Sequence, residues 1–149
     1  MININWMMNQ ILLKEGEKKG LQAEMISKQV IKKTRLIRNC VIFDKNGTLN
    51  EERMNFDRIL KIVGDWTGYE VSSNELRFSE KEIPRNQILY FVDCLNLELS
   101  RKYRERKFGI IISVYDESID LRFHTYREEE GLWLDNNLDK YDVPILYSV

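Results

Sequence analysis

The apolar run Cys40-Val41-Ile42-Phe43 ends in Asp44, and Lys45-Asn46-Gly47-Thr48-Leu49 follows. A carboxylate at the end of a strand, with loop N–H groups turned back toward it, is how covalent phosphoryl transfer is arranged. That chemistry also needs a proton donor close by. The residue two places on is Asn46, which cannot shuttle a proton as a carboxylic acid does. A plainer reading takes Asn46-Gly47 as a tight turn and Thr48, with Glu51, or Asn50 as the start of a helix.

The six residues Asp44–Leu49 resemble the nucleophile loop of the haloacid-dehalogenase-like phosphatases and P-type ATPases. This gives one alternative function, a dehalogenase-like phosphatase using Asp44. The resemblance implies a second Asp two residues on, where Asn46 stands, and a lysine and an acidic magnesium pair at the end of a later parallel strand; Gly64-Asp65 follows after only about twenty residues, too few for the crossovers between. The resemblance ends with those six residues.

Other chemistry is sparse. His124 is the only histidine, so any Ser-His or Cys-His system would have to use it. Strand alternation groups it with Asp120 and Arg122, which predicts a polar, cross-strand surface setting. Cys40 and Cys94 lie in apolar stretches and read as small buried hydrophobes. With one histidine and no Cys-x-x-Cys, neither a metal site nor a cofactor is expected. Arg101–Lys107, "RKYRERK", offers a second alternative, a nucleic-acid-binding domain. The chain's formal net charge of −1 argues against it, and a basic helix C-terminus accounts for the run.

The most distinctive stretch is the tail, Tyr126–Tyr147. Arg127–Asp142 holds six acids and two bases, with Tyr126, Trp133 and Tyr141 interleaved. Aromatic anchors rimmed by charge suit a protein interface, here one for a basic partner. The expected contacts are Glu128, Glu129, Glu130, Trp133, Asp135, Asp139 and Tyr141. A competing reading has Trp133 and Leu134 closing the core.

Elements must position these residues. Residues 5–14 predict a short helix with Trp6, Met7, Ile11 and Met8 inward. Residues 17–33 predict another, with Leu21, Met25, Ile26 and Val30 as its stripe. Leu36–Phe43 reads as one strand, and residues 50–65 as a helix burying Phe56, Ile59, Leu60 and Val63. Thr67–Phe78 reads as strand, turn and strand. The strongest helix spans Pro84–Arg104, with Ile88, Val92, Leu95 and Leu99 on one face. Then "FGIIISVY" and "IDLRFHTYR" form a hairpin whose first strand, apolar on both faces, is central. A helical turn at Asn136–Lys140 and an apolar segment Val143–Tyr147 close the chain. The fold class is α+β: N-terminal and central helices on an antiparallel sheet with a prominent C-terminal hairpin.

The 149 residues suit a single domain, 1–149, and 43% hydrophobic residues suffice for a core. Residues 1–38 carry eight Lys/Arg against three Glu, whereas the remainder carries fifteen against twenty-one Asp/Glu. The two regions either face one another or steer a charged partner. No signal peptide or membrane span is legible, so a cytoplasmic location is expected.

"GIIISVYDESIDLRFHTYREEEGLWLDNNLDKYDVPILY" resembles the tails of small Firmicute immunity proteins encoded beside polymorphic toxins of the LXG type. The likeness covers the last quarter of the chain. It implies a cytoplasmic protein that binds and blocks a cognate toxin, such as a nuclease, without catalysis. Whether the protein takes a small-molecule ligand is not legible in the sequence.

Overall fold

The computed structural model describes residues Met1–Val149. Seven strands and five helices follow in the order β1 (Ile2–Ile4), α1 (Trp6–Glu15), α2 (Leu21–Lys32), β2 (Thr34–Ile37), β3 (Cys40–Phe43), α3 (Phe56–Val63), α4 (Trp66–Ser73), β4 (Glu75–Ser79), α5 (Ile88–Lys102), β5 (Phe108–Val114), β6 (Ser118–Thr125) and β7 (Ile145–Ser148). The fold is α+β. A five-stranded antiparallel sheet runs β1-β7-β5-β6-β4, and β2 and β3 form a separate hairpin. No helix is long and apolar enough to cross a membrane.

β5 is the central strand, and every one of its residues is buried. Its alternation sorts the two sides of the sheet. Ile110 and Ile112 join Leu121, Phe123 and Leu146 in the main core beneath α2 and α5. Ile111 faces the other way, into a smaller cluster with Leu134, Leu138, Ile145 and Tyr147.

α5 buries the expected Ile88, Val92, Leu95 and Leu99. It begins later than expected, because Pro84 opens a 3₁₀ turn, Arg85–Gln87, ahead of it. The stripes of the first two helices differ from expectation. α1 turns Met8 inward, with Ile11 and Leu12 against the core, and leaves Trp6 67% exposed. α2 buries Ala23, Ser27, Val30 and Ile31, leaving Leu21 and Met25 exposed. Small residues at 23 and 27 let α2 lie close to α5, since the separation of packed helices follows the side chains between them.

Two stretches take a different form altogether. Leu36–Phe43 is not one strand: Arg38 and Asn39, both at positive φ, turn it back on itself. Two consecutive positive-φ residues make the turn that matches strand twist in a tight hairpin. Thr67–Val71 is helical rather than extended. Asp65 caps this helix, its carboxylate accepting from the Gly68 N–H at 2.7 Å. Between them, residues 50–63 split into a 3₁₀ turn capped by Asn50 and α3 capped by Asn55. Thr48 caps neither.

α4 also joins the hairpin to the sheet. β4 pairs with β6 only as far as Arg122, so the edge of β6 is bare beyond it. The outer edge of β3 is bare as well. Glu70 and Asn74, one helical turn apart on α4, fill both. Glu70 accepts from the N–H groups of Val41 (2.6 Å) and Thr125 (2.8 Å). Asn74 accepts from the Phe43 N–H (2.8 Å) and donates to the carbonyls of Val41 (2.8 Å) and Phe123 (3.2 Å). Two side chains thus do what a strand would do between the two edges, partnering five backbone groups of β3 and β6.

Candidate functional site: the pinned crossover

β6 and β7 flank β5 on opposite sides, so residues 126–144 must cross the sheet on the face away from α2 and α5. Leu134 and Leu138 are the apolar contacts of that crossing, buried on Ile111, Ile145 and Tyr147. This is the tail singled out by its acids and aromatics.

Its first feature is a tight turn. Arg127 bridges Gly131, the carbonyl of Arg127 accepting from the Glu130 and Gly131 N–H groups at 3.1 and 2.8 Å. Gly131 sits at φ 75°, a conformation glycine adopts without steric cost. Both flanks of the turn are pinned. Arg127 donates to Glu70 at 2.6 Å, and Glu70 is wholly buried. Burial works against the Arg127 charge, but the bond to Glu70 and the attraction of Glu70 and Glu130 together raise the guanidinium above its ordinary value.

On the other flank, Glu130 reaches the N-terminus of α4. It accepts from the N–H groups of Trp66 (3.2 Å) and Thr67 (2.8 Å) and from the Thr67 hydroxyl (2.6 Å). A carboxylate there satisfies open N–H groups and complements the helix dipole. Burial acts to raise the Glu130 carboxyl, yet the bonds from Thr67 and Trp66, with Arg127 nearby, hold it below its usual range.

The far end of the crossover repeats this device on α1. Asp139 accepts from the Trp6 N–H at 2.7 Å. Asn5 caps the same helix and donates to the Val143 carbonyl at 2.7 Å. Between the two anchors, Asp135 accepts from Lys140 Nζ (3.0 Å) and the Asn137 N–H (2.8 Å), while Tyr141 Oη accepts from the Asp135 N–H (2.9 Å).

The seven expected contact residues therefore divide. Glu130, Asp135, Asp139 and Tyr141 are bonded within the chain and shape the crossover. Glu128 and Glu129, at the tip of the turn, are exposed and take neither hydrogen bond nor ion pair. Trp133 is 37% exposed beside an exposed Leu132, and only Leu134 of the Trp133–Leu134 pair is buried. The Trp133 ring lies over α4 at Gly68, where a Cβ would come within 3.3 Å of it.

The turn forms one wall of a cleft of about 660 Å³. Arg38, Cys40 and Trp66 line it with Glu105, Arg106 and Lys107 of the α5–β5 loop. Most of its cations are committed. Arg127 serves Glu70, Arg106 donates to the Asn39 carbonyl at 2.7 Å, and Arg38 lies 5.1 Å above the Phe56 ring. Glu105, Glu128, Glu129 and Lys107 carry the uncommitted charge. Burial, reinforced by Glu70, pushes the Cys40 thiol up to about 12, so it is not a thiolate near neutrality.

The remaining candidates sit elsewhere in different roles. Asp44 is buried at the end of β3. It pairs with Arg35 at 3.1 Å and accepts from the Thr48 and Leu49 N–H groups, each at 3.2 Å. Its strand belongs to the two-stranded antiparallel hairpin, not to a parallel sheet. No group of three or more His, Cys, Asp or Glu is placed to hold a metal ion. In the basic run, Arg101 pairs with Glu98, and Lys102 donates to the carbonyls of Ile31 and Thr34 at the end of α2.

His124 is the main correction. Its strand face was expected to meet solvent, but the crossover and α4 cover it, and it is 0% exposed. Its Nδ1 lies 2.8 Å from the Thr125 carbonyl, which can only accept, so Nδ1 carries the proton. Nε2 then accepts from Tyr147 Oη at 2.7 Å. Tyr147 Oη in turn accepts from the Trp133 N–H at 3.1 Å. Gly109 makes room, since a Cβ there would lie 2.2 Å from Nε2. Glu70, Arg127 and the His124–Tyr147 pair were not identified from sequence. Glu70 fell within a stretch read as extended, and its partners are distant along the chain.

A family model described as the Uncharacterized protein PM0498 family matches residues 3–149. No curated protein and no solved structure matches.

Proposed function

The chain belongs to the Uncharacterized protein PM0498 family, and from that starting point we propose that it is a non-enzymatic, cytoplasmic protein-binding domain, an immunity protein that binds and neutralises a cognate toxin. The observation that carries this reading is the division among the crossover's acids. Those inside the turn's anchors rigidify it, and Glu128 and Glu129 are held outward at its tip without partners. A turn already fixed in place loses little conformational freedom on binding, which favours affinity. Leu132 and Trp133 supply adjacent apolar contact. The partner is basic, as a nuclease surface is. Its approach is accelerated by opposite charge, and Trp133 contributes to residence time.

The test is binding to the product of the neighbouring open reading frame, recovered from native cells and measured by calorimetry. Joint reversal Glu128→Lys with Glu129→Lys is expected to slow association by about 10-fold or more at low salt, with a smaller effect at high salt. Trp133→Ala is expected to weaken binding by about 30-fold, the size of an interface hot spot. Unchanged affinity in both variants sinks the proposal. So does a neighbour that does not bind.

A further inference from the structure

We infer that His124 is a proton-operated latch on the crossover: in its neutral form it holds Trp133 in place through Tyr147, and protonation releases that hold. The geometry is a one-way chain of donors. The Trp133 N–H donates to Tyr147 Oη, the Tyr147 hydroxyl donates to His124 Nε2, and His124 Nδ1–H donates to the Thr125 carbonyl. Each group fixes the direction of the next, and only Nε2 without a proton completes the series.

A proton added at Nε2 turns that nitrogen from acceptor to donor. Tyr147 Oη then faces two donors, the imidazolium and the Trp133 N–H, and its own hydroxyl proton has lost its acceptor. Oη can accept from both only with its own hydroxyl proton left unpartnered in a buried pocket, so Tyr147 must turn or shift to give that proton an acceptor. Of the bonds that such a shift strains, the Trp133 N–H link is the longest, at 3.1 Å, and sits on the least buried residue.

Charged groups surround the ring from each element packed on it. Glu70 of α4 and Asp65 at its cap favour the imidazolium, and Arg127 of the crossover disfavours it. Asp120 and Arg122 share the strand face, Asp120 being tied to Arg77 at 2.7 Å. Burial outweighs them, so the ring stays neutral to lower pH than an exposed histidine does. Because Trp133 stands beside the acidic tip, the latch would weaken partner binding on acidification. That last link rests on the proposed function, whereas the latch itself does not.

The latch is tested on the free protein by NMR. His124 is the only histidine, so imidazole ¹⁵N labelling yields one ring to follow. Near pH 7.5 the Nδ1–H tautomer is expected. On acidification the Trp133 backbone amide should shift with the same midpoint as the ring, while amides of Val92 and Leu95 in α5 stay still. In Tyr147→Phe the ring should still titrate and the Trp133 amide should no longer follow. In His124→Gln the Trp133 amide should be indifferent to pH over the same range. If either variant fails to fold, the other and the wild-type titration decide. An Nε2–H tautomer, a Trp133 amide that ignores the ring, or loss of the α5 signals at the same midpoint overturns the latch. Failure to find a toxin partner leaves these outcomes unaffected.

Discussion

Glu70 is the residue on which the most elements converge. Its carboxylate joins α4, β3, the end of β6 and Arg127, with no exposure to water. Removing one member of a buried ion pair leaves the other charge uncompensated, at a cost of about 3–5 kcal/mol. Glu70→Gln is expected to destabilise the fold by that order in urea unfolding, and to loosen Arg127. Replacing both residues with apolar ones should cost less than losing Glu70 alone. Gly109→Ala is the steric counterpart. Its Cβ would fall 2.2 Å from His124 Nε2 and 2.9 Å from the Tyr147 ring, so an overpacking loss of about 1–3 kcal/mol is expected. Acid should weaken the fold in two stages. The unfolded imidazole takes up a proton near 6.5, but in the folded protein burial lowers that value, so stability starts to fall as pH drops below 6.5. Glu130 is also depressed, so its contribution is complete above the ordinary 4.5 and is lost as pH falls through its lower folded value. Thermal melts against pH should show both stages, and His124→Gln should remove the first alone.

At the scale of elements, what the sequence disclosed depended on how local each element's causes are. α5 and the β5–β6 hairpin were legible because their apolar spacing matches a helix and a strand over many residues. α4 was not. Its sequence, WTGYEVSS, contains a glycine, β-branched residues and aromatics, which individually favour other conformations. The helix is helped by Asp65 and by Glu130, the latter 63 or 64 residues distant from the groups it caps. Asp65→Ala should therefore cost about 1 kcal/mol. Glu130→Gln should weaken both the start of α4 and the adjacent turn, visible as faster amide exchange at Trp66, Thr67 and Gly131. The same remoteness explains the partial legibility of the site. An exposed acid at Glu128 and an acid at Asp139 that caps a helix 133 residues away look alike in a list of charges.

For the whole molecule, the basic beginning and acidic end do not simply neutralise one another. Asp139 meets the first helix at a backbone N–H rather than at a lysine, and Lys102 serves the carbonyl end of α2. The carboxylates of Glu128 and Glu129 thus stay unpaired, as the proposed partner binding requires. Reversing Glu128 and Glu129 should leave the unfolding free energy within about 0.5 kcal/mol, since neither is bonded. A large loss of stability would instead assign them to the fold. The order of the sheet carries one more consequence. β7, from the last residues of the chain, lies between β1 and β5 and is the only strand that β1 touches. Met1 and Val149 exchange backbone bonds, so β1 waits for β7 to arrive before it can pair. During synthesis β5 must keep one edge open until Ile145–Ser148 emerges, and open edges invite pairing with other chains. Ribosome-bound chains stopped before Ile145 should be markedly more prone to aggregate than those extended past Val149.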